Sequence, residues 1–162
     1  MTTGAPLVAA AEALVAAAAP RDPWLAELRL DGIGWATVEL ERAAEDLGAA
    51  FKGQGALEPR WMPGARDDLL GATTWISREN WDRAAADPPP ALVLLEPDTE
   101  GRLAATLARF GEGVGAVYLC RRSGAEQVDG GRLGRPAPGP LGPARLVLAQ
   151  PAWGPSLLVL DR

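Results

Sequence analysis

Two stretches of this chain, "PALVLLE" at residues 90–96 and "PSLLVLD" at 155–161, match position by position: proline, small residue, apolar run, acidic end. The match places Val93 over Leu158. A second pair of stretches agrees with it, "GIGWA" at 32–36 over "AVYLC" at 116–120, both rich in small residues. Self-similarity at this spacing marks a duplicated unit, and it requires each half to open and close with a strand of the same kind. The chain is therefore expected to build one domain from two copies of strand, connection, strand, strand, strand.

The elements between these anchors follow from periodicity. "LDGIGWATV", 30–38, has strand composition and gives way to helical spacing at Leu40, Ala43, Ala44, Leu47 and Phe51. "LLGATTWIS", 69–77, is β-branched and aromatic and predicts another strand, while the glycines and prolines from Lys52 to Pro63 mark turns. "ALVLLEP", 91–97, is too short for a typical helix and apolar throughout, which fits a strand buried on both faces. Asp98 is placed to cap the next helix, whose Leu103, Leu107 and Phe110 share a face before Gly111 ends it. A strand at 114–120 follows, then a glycine- and proline-rich loop from Gly130 to Pro143 and two last strands, "ARLVLAQ" and "SLLVL". The second half lacks a clear helix, because "RRSGAEQV" is short and contains glycine.

Upstream, Leu7, Val8, Ala11, Leu14, Val15 and Ala18 recur at helical spacing until Pro20. This helix has no basic face to hold it on a bilayer, and without a basic n-region and with Glu12 in its apolar run it does not read as a signal peptide, so packing on the domain or on a twin subunit is expected. No other stretch reaches the roughly 18 apolar residues of a membrane span. With 16 Lys and Arg against 21 Asp and Glu, the net charge of -5 repels phosphate backbones and anionic lipid, which argues against nucleic acid or membrane as partners. Cys120 is the single cysteine and histidine is absent, so neither a disulfide within the chain nor a structural zinc site can form. A reducing, cytoplasmic setting fits.

"LDGIGWATVELERAAEDLG" resembles the opening strand and helix of the vicinal oxygen chelate superfamily, and "LLEPDTEGRLAATLARFGEGVGAVYL" is similar to the middle of its glyoxalase-like, bleomycin-resistance and methylmalonyl-CoA-epimerase-like members. The resemblance covers about residues 29–161. It implies an α+β fold of two βαβββ modules forming an open, curled mixed β-sheet barrel, here with an N-terminal helix. Residues 1–24 would be that helix and its linker, and 25–162 one domain. Module one would run over about 29–97 and module two over about 113–162, joined by a helix at 98–110.

The resemblance also implies a divalent metal held by one side chain from each strand that opens or closes a module, acting as a Lewis acid on vicinal oxygens. Carried over, those four positions fall on Gly32, Val93, Ala116 and Leu158. None offers a donor, whereas such cations need carboxylate, imidazole or thiolate. Glu96, beside the proline of "LLEP", lies on the opposite strand parity. No metal and no cofactor is expected.

Strand alternation puts Gly32, Gly34, Ala36, Val93, Leu95, Ala116, Tyr118, Cys120, Leu158 and Leu160 on one inner face. A cavity so lined suits a small hydrophobic or aromatic molecule; the alternative is a face filled by larger neighbours, since interiors pack closely. Trp61 and Trp75, of six tryptophans, could stack on a planar ligand or cover the sheet, and Trp153 could guard the rim, while Trp24 and Trp81 fall in linkers. Tyr118, Arg60 and Asp67 are the candidate acid–base and orienting groups; for Arg60, Arg66, Asp67 and Asp68 a solvated hairpin with surface ion pairs competes. Cys120 has no histidine to activate it and reads as packing.

Three functions remain in play: a metal-free binder of a hydrophobic molecule, of the sequestration, resistance or carrier type; a metal-independent cyclase, isomerase or lyase; and a structural domain acting as a homodimer through its N-terminal helix.

Overall fold

The computed structural model of the chain describes residues 5–55, 57–78, 89–122, 132–148, 150 and 154–162. The elements are α1 (Ala5–Ala18), a 3-10 helix (Pro23–Glu27), β1 (Leu28–Ala36), α2 (Leu40–Gly53), β2 (Met62–Pro63), β3 (Ala72–Ser77), β4 (Ala91–Pro97), α3 (Arg102–Phe110), β5 (Gly113–Arg121), β6 (Ala144–Leu146) and β7 (Ser156–Leu160). Among the described residues seven strands make one mixed sheet in the order β2-β3-β4-β1-β5-β7-β6, open at β2 and β6. Among the described residues no helix is long and apolar enough to cross a membrane.

The sheet carries the repeat in its hydrogen bonds. β1 runs parallel to β4 with Gly32 opposite Ala91 and Gly34 opposite Val93. β5 runs parallel to β7 with Ala116 opposite Ser156 and Tyr118 opposite Leu158. These are the pairs the sequence match aligns, so the two halves share one register. Between the halves, β1 and β5 are antiparallel, with Gly32 opposite Tyr118 and Gly34 opposite Ala116. Exchanging the halves turns the first of these pairs into the second, as a local twofold axis requires.

The first half is complete as strand, helix and three strands. The second departs from the expected βαβββ module: among the described residues no helix stands between β5 and β6, and only the bridges Leu133 to Val147 and Ala137 to Ala144 stand where a further strand is expected. Most of "RRSGAEQV", the linker around Trp81, and Trp153 lie outside the described residues. Three local expectations are corrected. β3 starts at Ala72 rather than residue 69, because the preceding residues turn through Gly71 at φ 63°. β6 covers only the first three residues of "ARLVLAQ". α3 is capped by Gly101 and not Asp98, whose carboxylate is taken by Arg66 at 2.8 Å.

Alternation sorts the strands cleanly. Ala36, Val93, Leu95, Ala116, Tyr118, Cys120, Leu158 and Leu160 share one apolar cluster on the inner face, with Leu103 and Leu107 of α3 and with Leu141. Ile33, Leu92, Val117, Leu119, Leu157 and Val159 face the other way. On that outer face α2 covers the first half, joining Leu40 and Ala43 to Leu94, Trp35 and Trp75. The outer face of β1 and β5 is covered by α1 and the 3-10 helix, whose Ala11 and Leu25 are fully buried in a cluster with Ile33, Val117, Leu119 and Val159. The N-terminal helix thus lies over β1 and β5, at the seam of the two halves.

Candidate functional site

The four positions the resemblance assigns to metal ligands do converge. In the ladder, Val93, Gly34 and Ala116 lie in one row across the inner face, and Gly32, Tyr118 and Leu158 in the next. Val93, Ala116 and Leu158 have no exposed surface. The convergent patch offers hydrogen and methyl groups where a cation would need oxygen or nitrogen, so the residues do not fit a metal. Among the described residues no group of three or more His, Cys, Asp or Glu could hold one either.

The space in front of this patch is occupied by the chain itself. A loop from Pro138 to Pro143 crosses the inner face, closed at its base by the Ala137 to Ala144 bridge and tied by Asp68 N–H to Pro138 O at 3.1 Å. Its Leu141 side chain lies where a Cβ on Gly32 would fall, with Tyr118 at 3.3 Å. Gly34 faces Leu95 at 2.6 Å and the Ala116 methyl at 2.9 Å on the same test. The small residues thus admit neighbouring side chains, the close-packing alternative of the sequence reading.

Tyr118 and Asp67 meet on this face. The phenol donates to Asp67 Oδ2 at 2.7 Å, and Leu70 N–H donates to Oδ1 at 3.0 Å. Asp67 is 1% exposed and Tyr118 has no exposed surface. Burial pushes the Asp67 carboxyl up from its ordinary value, against the opposing pull of the Tyr118 and backbone donors. Burial, with the Asp67 charge behind it, pushes the phenol well up. Such a pair can hold or pass one proton between oxygens. Tyr118→Phe is expected to destabilise by about 1–3 kcal/mol at pH 7, since it strips a donor from a buried carboxylate. An acid with a raised folded pKa contributes fully below its unfolded value of 3.8 and loses that contribution as pH rises through the folded value. The deficit should therefore shrink in acid, which urea unfolding at pH 7 and pH 3.5 would measure.

The other candidates separate from this pair. Arg60 is exposed before β2 and stands outside it. Arg66 holds Asp98 and Asp68 on the surface, as the ion-pair reading of that hairpin expects. Trp61 and Trp75 pack with Leu40 and Leu94 on the outer face, so they line no common cavity with Gly32, Gly34, Val93, Leu95, Ala116, Tyr118 and Leu158. Trp24 is half-buried against the α1 cluster. Cys120 is buried, its sulfur accepting from Arg29 Nε and Nη2 at 3.4 Å. Sequence reasoning passed over Glu112. Its Oε1 accepts from Thr37 Oγ1 at 2.6 Å, from Val38 N–H at 3.0 Å and from Arg42, and these donors hold its pKa down to about 2. It pins the start of β5 to the turn after β1, beside a cleft of about 250 Å³ lined by Ala36, Thr106, Phe110, Val114, Gly115 and Pro155.

A parallel β1/β4 ladder and a parallel β5/β7 ladder, joined antiparallel through β1 and β5, decide the architecture. This is the vicinal oxygen chelate fold. No family model and no curated protein matches the sequence. Solved structures with the fold do match. A variant of Streptomyces coelicolor methylmalonyl-CoA epimerase, in complex with 2-nitronate-propionyl-CoA, is 20% identical over 83% of this chain and 98% of its own, at a TM-score of 0.57. The Mycobacterium tuberculosis methylmalonyl-CoA epimerase is 17% identical over 82% and 88%, at 0.54. A hypothetical protein from Bacillus halodurans is 15% identical over 83% and 96%, at 0.51. Against the expected vicinal-oxygen-chelate plan, the chain keeps the strand pairing and lacks donors at the four convergent positions.

Proposed function

We propose that this chain is a metal-independent, cytoplasmic domain that binds a small hydrophobic molecule on the vicinal oxygen chelate scaffold. The observation that carries the metal-independent part of this reading is the convergence of Gly32, Val93, Ala116 and Leu158 on one buried, donor-free patch. Lewis-acid chemistry needs a cation that these residues cannot hold, and with Leu141 packed over the patch an apolar ligand is left the open apolar recess of Ala36, Phe110, Val114 and Pro155, unless that loop moves aside. Native mass spectrometry with manganese, nickel or zinc is expected to show no stoichiometric metal adduct, and metal-dependent turnover of a methylmalonyl thioester or a methylglyoxal thiohemiacetal is expected to be absent. Titration with Nile red should give a saturable rise in fluorescence. A tight metal adduct, or a flat Nile red response, would overturn the reading.

A metal-independent isomerase or lyase is the second reading, favoured by the buried contact of Tyr118 with Asp67. Acid–base work there would require the loop bearing Leu141 to move aside, because both groups are sealed from solvent. Turnover of any substrate that survives Asp67→Asn and Tyr118→Phe unchanged would remove this pair from consideration.

A further inference from the structure

We propose that the recess at the start of β1 and β4 is an anion site, and that it takes a small carboxylate on an apolar skeleton, of about the size of benzoate. It is distinct from the inner face and from the recess beside Phe110, and it stands whether or not an apolar ligand binds there.

The repeat makes this recess one of a pair. The register between β1 and β5 skips Asp31 between Leu30 and Gly32, and it skips Gly115 between Val114 and Ala116, so each half carries a one-residue bulge at the corresponding place. A recess opens beside each bulge. In the second half it is walled by Gly113, Val114, Gly115 and Pro155. In the first it is walled by Arg29, Leu30, Asp31 and Pro90, the residues that the sequence match, extended toward the N-terminus, sets over them. Two glycines of one half are thus an arginine and an aspartate in the other. A bulge re-aims the side chain of its extra residue, and here that residue is charged.

The charges of the first recess do not cancel among the described residues. The Asp31 carboxylate is met by two guanidinium groups: Arg29 Nη2 lies 3.6 Å from Oδ1, and Arg162 donates to Oδ2. Arg29 is fixed further by the Cys120 sulfur, which accepts from its Nε and Nη2 at 3.4 Å. Arg78, just after β3, lines the same recess, is exposed, and has no carboxylate partner among the described residues. Elsewhere Arg42, Arg66, Arg132 and Arg145 each face a carboxylate of their own. In a chain of net charge -5, this recess is a place where positive charge is left over.

Donor geometry and size choose the ligand class. An arginine fork presents two parallel N–H groups that match the two oxygens of a carboxylate. With Arg29 engaged, Arg78 supplies one such fork, enough for a carboxylate and short of what the three oxygens of a phosphate group call for, and Pro89 and Pro90 add no N–H. Leu30, Pro89 and Pro90 give the ligand's skeleton an apolar wall. The volume of about 240 Å³ lies below the roughly 300–1,000 Å³ of sites for drug-sized ligands, which sets the upper size.

The test titrates benzoate into the full chain at constant ionic strength and follows backbone amide shifts. Saturable movement of Leu30, Asp31 and Ala91 is expected, with no comparable movement from benzamide, its neutral counterpart, or from chloride at equal concentration. Arg78→Gln should weaken benzoate binding about threefold or more, whereas Arg135→Gln, at an exposed arginine outside the recess, should leave it unchanged. Asp31→Asn should tighten binding about twofold or more, because it removes the repelling charge and frees Arg162, whereas damage to packing alone would weaken it. No saturable shift, an equal response to benzamide, or affinity indifferent to Arg78→Gln overturns the anion site, and so does weaker binding by Asp31→Asn at an unchanged melting temperature. Inorganic phosphate that binds more tightly than benzoate overturns the carboxylate class.

Discussion

Ala11→Asp is expected to cost about 3–5 kcal/mol, a large part of a typical domain's stability, while Ala13→Asp two residues on costs well under 1 kcal/mol. The two substitutions pay the same helix-propensity penalty, so their difference isolates burial. Ala11 is fully buried against the outer face of β1 and β5, together with Leu25, Val117, Leu119 and Val159, whereas Ala13 is exposed. A carboxylate at position 11 would sit in that cluster with no partner in it. The packing of α1 is what the pair tests: equal urea midpoints for the two variants would mean that the helix does not cover the sheet. A loss confined to position 11 would show that α1 seals the outer face over β1 and β5.

The second large effect concerns the inner face. Leu141→Ala should cost about 2–4 kcal/mol by leaving a cavity against Gly32 and Tyr118. Gly32→Ala should cost about 1–3 kcal/mol in the wild-type background, because its new methyl would meet the Leu141 side chain. In the Leu141→Ala background the same methyl enters the vacated space. The double variant should therefore be clearly more stable than the sum of the single losses predicts, with a coupling of about 1 kcal/mol or more. Simple additivity in denaturant unfolding would place Leu141 away from Gly32 and reopen the face.

Much of this architecture was legible in the sequence because it is written in short-range pattern. The repeat paired Val93 with Leu158 and Gly34 with Tyr118, and the ladders join each member of one pair to the corresponding member of the other. Period-two alternation named the inner face residue by residue. What pattern cannot show is what arrives from elsewhere in the chain. Leu141 sits in a proline- and glycine-rich loop with no periodicity, so nothing local announced that it fills the space before Gly32. Asp67 looks like its neighbours Arg66 and Asp68, yet a turn buries it beneath Tyr118 while they stay at the surface. For Trp61 and Trp75 the sequence allows either stacking on a ligand or covering the sheet, and contact with α2 puts them on the outer face. Asp98 lost its capping role to an arginine far back in the sequence, a competition that helix signals do not record.

The docking of α1 also sets an order of events as the chain is made. This helix leaves the ribosome before the strands it packs on, and beyond the nearby β1 the cluster it joins is completed only by β5 and by β7, more than a hundred residues later. Until β7 is made, Leu7, Val8, Leu14 and Val15 have no finished surface to pack on, and an isolated helix of this length is marginal in water. Closure of the outer core is a long-range, late step, the kind that slows folding and leaves apolar surface open to other chains meanwhile. The first half, with α2 on its own sheet, can form in advance; the shared outer cluster must wait for β7 to reach α1.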